Sequence, residues 1–287
     1  MSSRSRSRAA LVGALMLVAG GALAQGLDTR GPGAQGLDSQ GIDIDKVRVC
    51  ADPNNLPFSN EAGEGFENRI AALLAQDLGV PLEYRWWAQR RGFVRNTLRA
   101  GDCDIVMGVP KGYELTLNTR PYYRSTYVIL SRAGGEPYRS LDDKRLTRAT
   151  IGVQLIGDDF ANTPPAHALT RRGIIDNVRG YPVYGDYRND SPAADIVRAV
   201  ADGEIDVALV WGPLAGYFAP RQQQKLAMAP LPAEGDYPGL PFTFDIAIGV
   251  RKGNRELCDL LDRWLDRHCA EIAAILAEYG VPAPTQP

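Results

Sequence analysis

Few side chains in this 287-residue chain have the types and spacing that catalysis needs. His167 and His268 are its two histidines. They lie far apart in sequence, and neither stands beside a nucleophile. No Gly-x-Ser-x-Gly turn and no phosphate-cradling glycine loop occurs. Glu67 and Glu114 are the carboxyl groups that a cleft could use as a general acid. Asp43 and Asp45 sit in a glycine-rich leader, and the side chains of adjacent Asp158 and Asp159 diverge, so neither pair makes a metal cage. No metal, no cofactor and no enzyme is expected on this reading.

What remains is recognition chemistry. Asp52, Asn54 and Phe58 fall in Asp52-Pro53-Asn54-Asn55-Leu56-Pro57-Phe58, a loop too rich in turn residues for regular structure. Phe66 leads into a helical pattern, and Trp87 closes an apolar strand pattern. Gly108, Tyr113 and Glu114 follow another strand, Asp158 lies in a Gly-Asp-Asp turn, and Trp211 ends a third apolar run. These ten residues are the candidate cleft. With Phe58, Phe66, Trp86 or Trp87, Tyr113 and Trp211 as walls, it suits an apolar or extended guest, such as a peptide segment of a partner. Phe58 and Phe66 have a second reading, as packing inside a core.

The elements that must hold these residues come from a repeat. Residues 98–110 and 200–213 each read as a helix end, a glycine stop, an acidic pair, a buried strand and a Gly/Pro loop. One such unit makes one α/β lobe; two make a bilobed protein with a cleft. Strands are expected at 46–51, 82–87, 104–108 and 127–131, with helices at 67–78 and 93–100. After a crossing at 132–137 the cycle restarts, with strands at 150–155, 181–184 and 206–210. Helices lie at 163–173 and from Ser191-Pro192 to Gly203. A late strand at 244–250 precedes a helical stretch at 254–279, unbroken or broken near His268.

The alternation predicts two lobes, each a mainly parallel sheet flanked by helices, joined by a two-strand hinge. Residues 46–132 with 244–287 form the first lobe and 133–243 the second. Ligands meet the carboxyl ends of strands in open α/β sheets, which places the candidate residues around the cleft. Asp104 and Asp206 precede their strands at the opposite end, where Asp caps turns.

Residues 1–24 read as an export signal: Arg4, Arg6 and Arg8, an apolar run, then Ala22-Leu23-Ala24 before the cleavage point. The run of roughly 15 residues is short of a spanning helix. The mature protein is expected in the bacterial periplasm, not spanning a membrane, after a flexible linker at 25–45. The formal net charge of −2 becomes three units more negative once those arginines are removed. Nucleic acid is an unsuitable partner for such a chain.

Four cysteines in an exported protein suggest disulfides. In an in-register parallel pair Cys50 and Cys103 would lie roughly 10 Å apart, too far to bond. On an unbroken helix Cys258 and Cys269 would lie about 16 Å apart. One of these assumptions fails if all four pair, and the connectivity stays open.

Val47-Arg48-Val49-Cys50-Ala51-Asp52-Pro53, Gly65-Phe66-Glu67 and Arg120-Pro121-Tyr122-Tyr123 resemble type II periplasmic solute-binding proteins over residues 46–282. Trp87-Ala88-Gln89-Arg90-Arg91-Gly92-Phe93, Gly108-Val109-Pro110-Lys111-Gly112-Tyr113-Glu114 and Trp211-Gly212-Pro213 resemble one subgroup, the quinoprotein-dehydrogenase-associated MoxJ/XoxJ type. That resemblance implies a periplasmic accessory to a PQQ-dependent methanol dehydrogenase, of calcium or lanthanide type, and its c-type cytochrome. The fold also allows a receptor that delivers a small solute to an ABC transporter. Amino-acid-binding relatives hold the ligand carboxylate with an Arg after the third strand; here Glu114-Leu115-Thr116 stands there. They hold the amino group with an Asp where this chain has Trp211-Gly212-Pro213, although Asp52 is kept. A zwitterion without both anchors would be desolvated and unpaired, so amino-acid capture is not expected.

Overall fold

The computed structural model describes residues 44–156, 161–183, 187–232, 239 and 241–282. The expected signal, most of the linker and Asp158 lie outside the described residues. The first lobe opens with β1 (Val47–Ala51), the short hairpin β2 (Asn54–Asn55) and β3 (Ser59–Asn60), α1 (Phe66–Leu78), β4 (Leu82–Trp86), α2 (Phe93–Asn96) and β5 (Ile105–Pro110). β1 lies between β4 and β5, parallel to both. Its burial on both faces explains its nearly continuous apolar sequence. Val49, Ile105 and Met107 point into a core closed by α1 and by two C-terminal helices, while Cys50, Val106 and Val109 fill a smaller cluster on the other face.

The next strand, β6 (Leu117–Arg132), is 16 residues long and starts ten residues before the strand expected at Tyr127. The second lobe continues with β7 (Ile151–Ile156), β8 (Ala161–Asn162), α3 (Pro164–Arg171), β9 (Val178–Pro182), α4 (Asp195–Asp202), β10 (Val207–Trp211), α5 (Gly212–Phe218) and β11 (Leu226–Pro230). The chain then returns through β12 (Thr243–Val250), α6 (Arg255–Arg267) and α7 (Cys269–Glu278). β10 and β9 run parallel to β7. Apolar clusters cover both faces of this second half of the sheet.

β6 ties the two halves together. Residues 117–126 pair with β12, and Tyr127–Ser131 pair with β10. The exchange of partners falls between Thr126 and Tyr127, inside a continuous strand rather than in a loop at 132–137. Beside it, the Tyr127 N–H donates to the Phe242 carbonyl (2.8 Å) and the Leu231 N–H to the Tyr127 carbonyl (2.9 Å). These two chain segments are the two-strand hinge. Behind them, Tyr217 of α5 stacks on Tyr279 at 5.5 Å. Gly216 approaches so closely that a Cβ there would meet the Gly280 carbonyl at 1.9 Å.

Several local expectations change in the structure. The helix expected at 93–100 keeps only Phe93–Asn96, because Thr97 donates its hydroxyl to the Phe93 carbonyl (2.7 Å) and leaves helical backbone. Ser191 is not a side-chain cap: it has φ 49°, and its carbonyl accepts from the Ala194 N–H in a 3-10 turn ahead of α4. β9 begins three residues earlier than expected. Of the two forms left open for 254–279, the chain takes the broken one, at His268, whose ring stacks on Trp264 at 4.9 Å.

Cys50 and Cys103 are disulfide-bonded, with Cα atoms 5.6 Å apart. The in-register assumption fails because β5 starts only at Ile105, and the chain bends before it so that the Asp104 N–H donates to the Arg48 carbonyl. Cys258 and Cys269 are free. At the same end of the sheet Asp104 accepts from Arg48 (2.7 and 2.8 Å) and Arg251 (3.0 Å). Burial pushes its carboxyl up, but these guanidinium hydrogen bonds outweigh that and hold it below the ordinary range. Asp206 accepts from the Thr150 N–H (2.8 Å). Both aspartates are structural clamps at their strand starts.

The disulfide closes a 53-residue separation in the first lobe, so replacing both cysteines by alanine should lower the unfolding free energy by roughly 3–4 kcal/mol. Urea titration of the oxidised wild type against the double variant measures this; equal midpoints would show that the bond contributes nothing.

Candidate functional site

Between the lobes lies a cavity of about 300 Å³. Its floor is shaped by a bulge in β5. Ala247 pairs with Val109 and Gly249 with Val106, so Met107 and Gly108 together oppose the single residue Ile248. Gly108 has φ 68°, and a Cβ on it would meet Oε1 of Glu67 at 2.2 Å. Only glycine allows both the backbone turn and the approach of that carboxyl group. Glu67 itself is set by the start of α1, where its N–H donates to the Phe58 carbonyl at 2.9 Å.

The cavity walls are Phe58, Tyr123, Tyr127, Trp211 and Phe244, with Asn55, Gln89, Gln154 and Thr163 as neutral polar groups. Tyr127, Trp211 and Phe244 pack edge to face at 5.2, 5.8 and 6.4 Å, a single wall of three rings rather than a cage. Gln154 fixes the Trp211 backbone by accepting its N–H at 2.7 Å. Among the described residues no Arg, Lys or His lines this space.

Among the described residues Glu67 is the one ionisable carboxyl group in the lining, 9 % exposed and without a hydrogen-bond partner among them. Burial pushes its pKa up to about 8. Tyr122 and Tyr123 are held well above the ordinary phenol range, by burial first and then by the Glu67 charge. At neutral pH the floor of the cleft therefore presents an uncharged carboxyl group, able to donate one hydrogen bond and accept another.

Of the residues anticipated from sequence, Phe58, Gly108 and Trp211 line the cavity. Phe66 does not: it is fully buried, ringed by Phe58, Tyr123 and Tyr279 inside the first lobe. Trp87 is 39 % exposed under the Arg85 guanidinium, outside the cavity, and Tyr113 and Glu114 lie on the exposed turn after β5. Asp158 lies outside the described residues.

Asp52 and Asn54 take a different part. Buried Asp52 accepts from the backbone of Asn54 (2.9 Å) and Gln89 (2.7 Å), and from the Tyr187 hydroxyl (2.8 Å) of the second lobe. Asn54 donates to the Asn189 carbonyl (2.8 Å). The Arg90 guanidinium sits 5.7 Å over the Tyr187 ring. The loop with the acidic anchor thus latches one lobe to the other. Burial, then the Asp52 carboxylate, raises the Tyr187 hydroxyl far above the ordinary phenol range.

Gln89, Gln154, Tyr123, Tyr127 and Phe244 were not among the expected site residues. Tyr123 stands in the Arg120-Pro121-Tyr122-Tyr123 stretch that carries the family resemblance, a signal that was available. The others read as ordinary strand or loop residues until the lobes meet.

Residues 47–281 match the family model for bacterial extracellular solute-binding proteins, family 3. The chain is 31% identical to Protein MoxJ of Methylorubrum extorquens, over 90% of this chain and 88% of that protein. It is 30% identical to Protein MoxJ of Paracoccus denitrificans, over 84% and 90%. The crystal structure of periplasmic binding protein XoxJ from Methylobacterium extorquens AM1 superposes with a TM-score of 0.69 at 36% identity, covering 84% of this chain and all of that one.

Two outcomes follow from the geometry. Glu67 keeps its proton in the folded chain up to about pH 8 and loses it near 4.5 when unfolded. Its contribution is therefore complete below 4.5 and declines as pH rises toward 8, by about 1.4 kcal/mol per pH unit. The stability gain of Glu67→Gln over wild type should widen across that window in denaturant titrations. A constant gap from pH 5 to 8 would mean that Glu67 titrates normally. Tyr187→Phe removes one hydrogen bond between the lobes, worth roughly 1–2 kcal/mol at this part-exposed place. Small-angle scattering should record a larger radius of gyration; an unchanged one would show that Tyr187 does not hold the lobes together.

Proposed function

Since the chain belongs to the bacterial extracellular solute-binding proteins of family 3, within their MoxJ/XoxJ-like subgroup, we propose that it is a non-enzymatic periplasmic accessory of a PQQ-dependent methanol dehydrogenase. It takes a segment of that enzyme into its cleft and assists maturation or activation; the c-type cytochrome is a second candidate partner. The observation that carries this reading is a cleft walled by Phe58, Tyr123, Trp211 and Phe244 without a basic anchor among the described residues. A free amino acid would leave its carboxylate unpaired there, at a cost of several kcal/mol. An uncharged polypeptide segment has no such charge to satisfy. The lack of a histidine, cysteine or cation beside Glu67 among the described lining residues supports binding over turnover.

The test is affinity capture from periplasm on the tagged protein, probed for the dehydrogenase, with Trp211→Ala alongside. Capture by wild type and a severalfold loss in the variant are expected. No dehydrogenase on the wild type, together with a melting temperature raised by a small solute through mass action, would replace the accessory role with solute delivery.

A further inference from the structure

The cavity between the lobes holds a polar group with no hydrogen-bond partner among the described residues. Glu67 is nine-tenths buried, its carboxyl group has no hydrogen-bond partner among the described residues, and it lines the space between the lobes. Gly108 is shaped around it, since any side chain there would collide with the carboxyl oxygen. A buried polar group without a partner is costly, so its arrangement here is completed by what enters.

An anion is excluded, because no described lining residue carries a positive charge to offset its desolvation. A cation would need Glu67 ionised, and a carboxylate with no supporting donor among the described residues offsets its burial poorly. The aromatic groups of Tyr127, Trp211 and Phe244 pack on each other rather than around a charge. A neutral carboxyl group offers an O–H donor and a C=O acceptor side by side. The matching group has an acceptor and a donor on the same side of one planar unit. A trans peptide does not, since its C=O and N–H point in opposite directions. A primary carboxamide does.

We propose that the cavity receives the side-chain carboxamide of an Asn or Gln on the partner segment, paired through two hydrogen bonds with the carboxyl group of Glu67. The proposal rests on the reading that the cleft takes a polypeptide segment. The O–H of Glu67 donates to the amide oxygen, and its carbonyl accepts from the amide N–H. The planar amide lies against the aromatic wall. The titratable groups packed around Glu67 are Tyr84, Tyr122 and Tyr123, all raised by burial first, so they stay protonated across the working range. Glu67 then sets the pH dependence: binding persists below about pH 8 and weakens about tenfold for each pH unit above it.

The experiment titrates the exported protein with N-acetyl-glutamine methylamide, and with the Glu and Lys counterparts, at pH 6.5 and 9.5. Calorimetry and the Trp indole N–H resonances report binding. The Gln probe should bind at pH 6.5 about tenfold more tightly than either charged probe, and weaken at pH 9.5. Glu67→Gln, checked by circular dichroism, should retain the Gln probe with no pH dependence, because one amide pairs with another. A Lys probe that binds best and tightens with pH would overturn the proposal in favour of a cation site. Equal binding of the three probes, or of none, would also overturn it. Dehydrogenase capture without Gln-probe binding would sink the carboxamide and leave the accessory role standing; Gln-probe binding without capture would do the reverse.

Discussion

Strand pairing runs along Leu117–Arg132, with register shifts opposite Ile246–Gly249, first to β12 and then to β10 and β11. This single strand is the constraint on which the rest of the architecture depends. Because it belongs to both halves of the sheet, the lobes share one framework, and the change of partners at Thr126 and Tyr127 places Tyr123, Tyr127 and Phe244 at the bottom of the cleft. The Tyr217–Tyr279 stack and the Gly216–Gly280 approach brace the hinge from behind. The Asp52–Tyr187 hydrogen bond closes it in front. A strand held by two sets of ladder bonds can bend but cannot slide without turning its side chains to the wrong face.

On that framework the electrostatics of the cleft are simple. A carboxyl group on α1 lies under a glycine bulge, with rings on the facing side and no described cation in the lining. Receptors that capture zwitterions need the opposite arrangement, a fixed cation and a fixed anion that replace lost hydration. Here the acidic residue of the first loop, Asp52, is spent on backbone amides and on the bond between lobes. The residue that looks like a ligand anchor has become a structural latch. The group left facing the cavity is Glu67, kept neutral by its surroundings. The same charge balance that speaks against a free amino acid favours an uncharged group on a polypeptide.

The extent to which the chain could be read in advance follows the range of the interactions. The repeated helix, glycine stop, acidic pair and apolar strand at 98–110 and 200–213 is local, and it announced the α/β alternation and the bilobed plan. The apolar runs placed β1, β5, β7 and β10 to within a residue or two. Thr97 was misread because its hydroxyl offers the backbone a competing local hydrogen bond, and Ser191 because its backbone turns left-handed into a 3-10 turn instead of capping the helix. The start of β6 was missed because residues 117–126 carry Arg120 and Arg124 on a strand whose other face is buried, so no apolar run marks them. Phe66 and Phe58 have the same residue type and lie eight positions apart, yet one fills a core and the other lines a cavity. Nothing in their own sequence separates them.

The amino-acid sequence by itself determined the elements, their order, the two-lobed class and the family, since these arise from periodicity, turn residues and long motifs carried by neighbours along the chain. The tertiary structure alone decided which carboxyl group faces the cleft, which aromatic residues form its wall and which cysteines bond. Those outcomes depend on the bulge at Gly108, the bend before Ile105 and the contact between lobes at Tyr187. Each brings together residues from distant parts of the chain, and burial and charge are properties of that meeting rather than of any one segment.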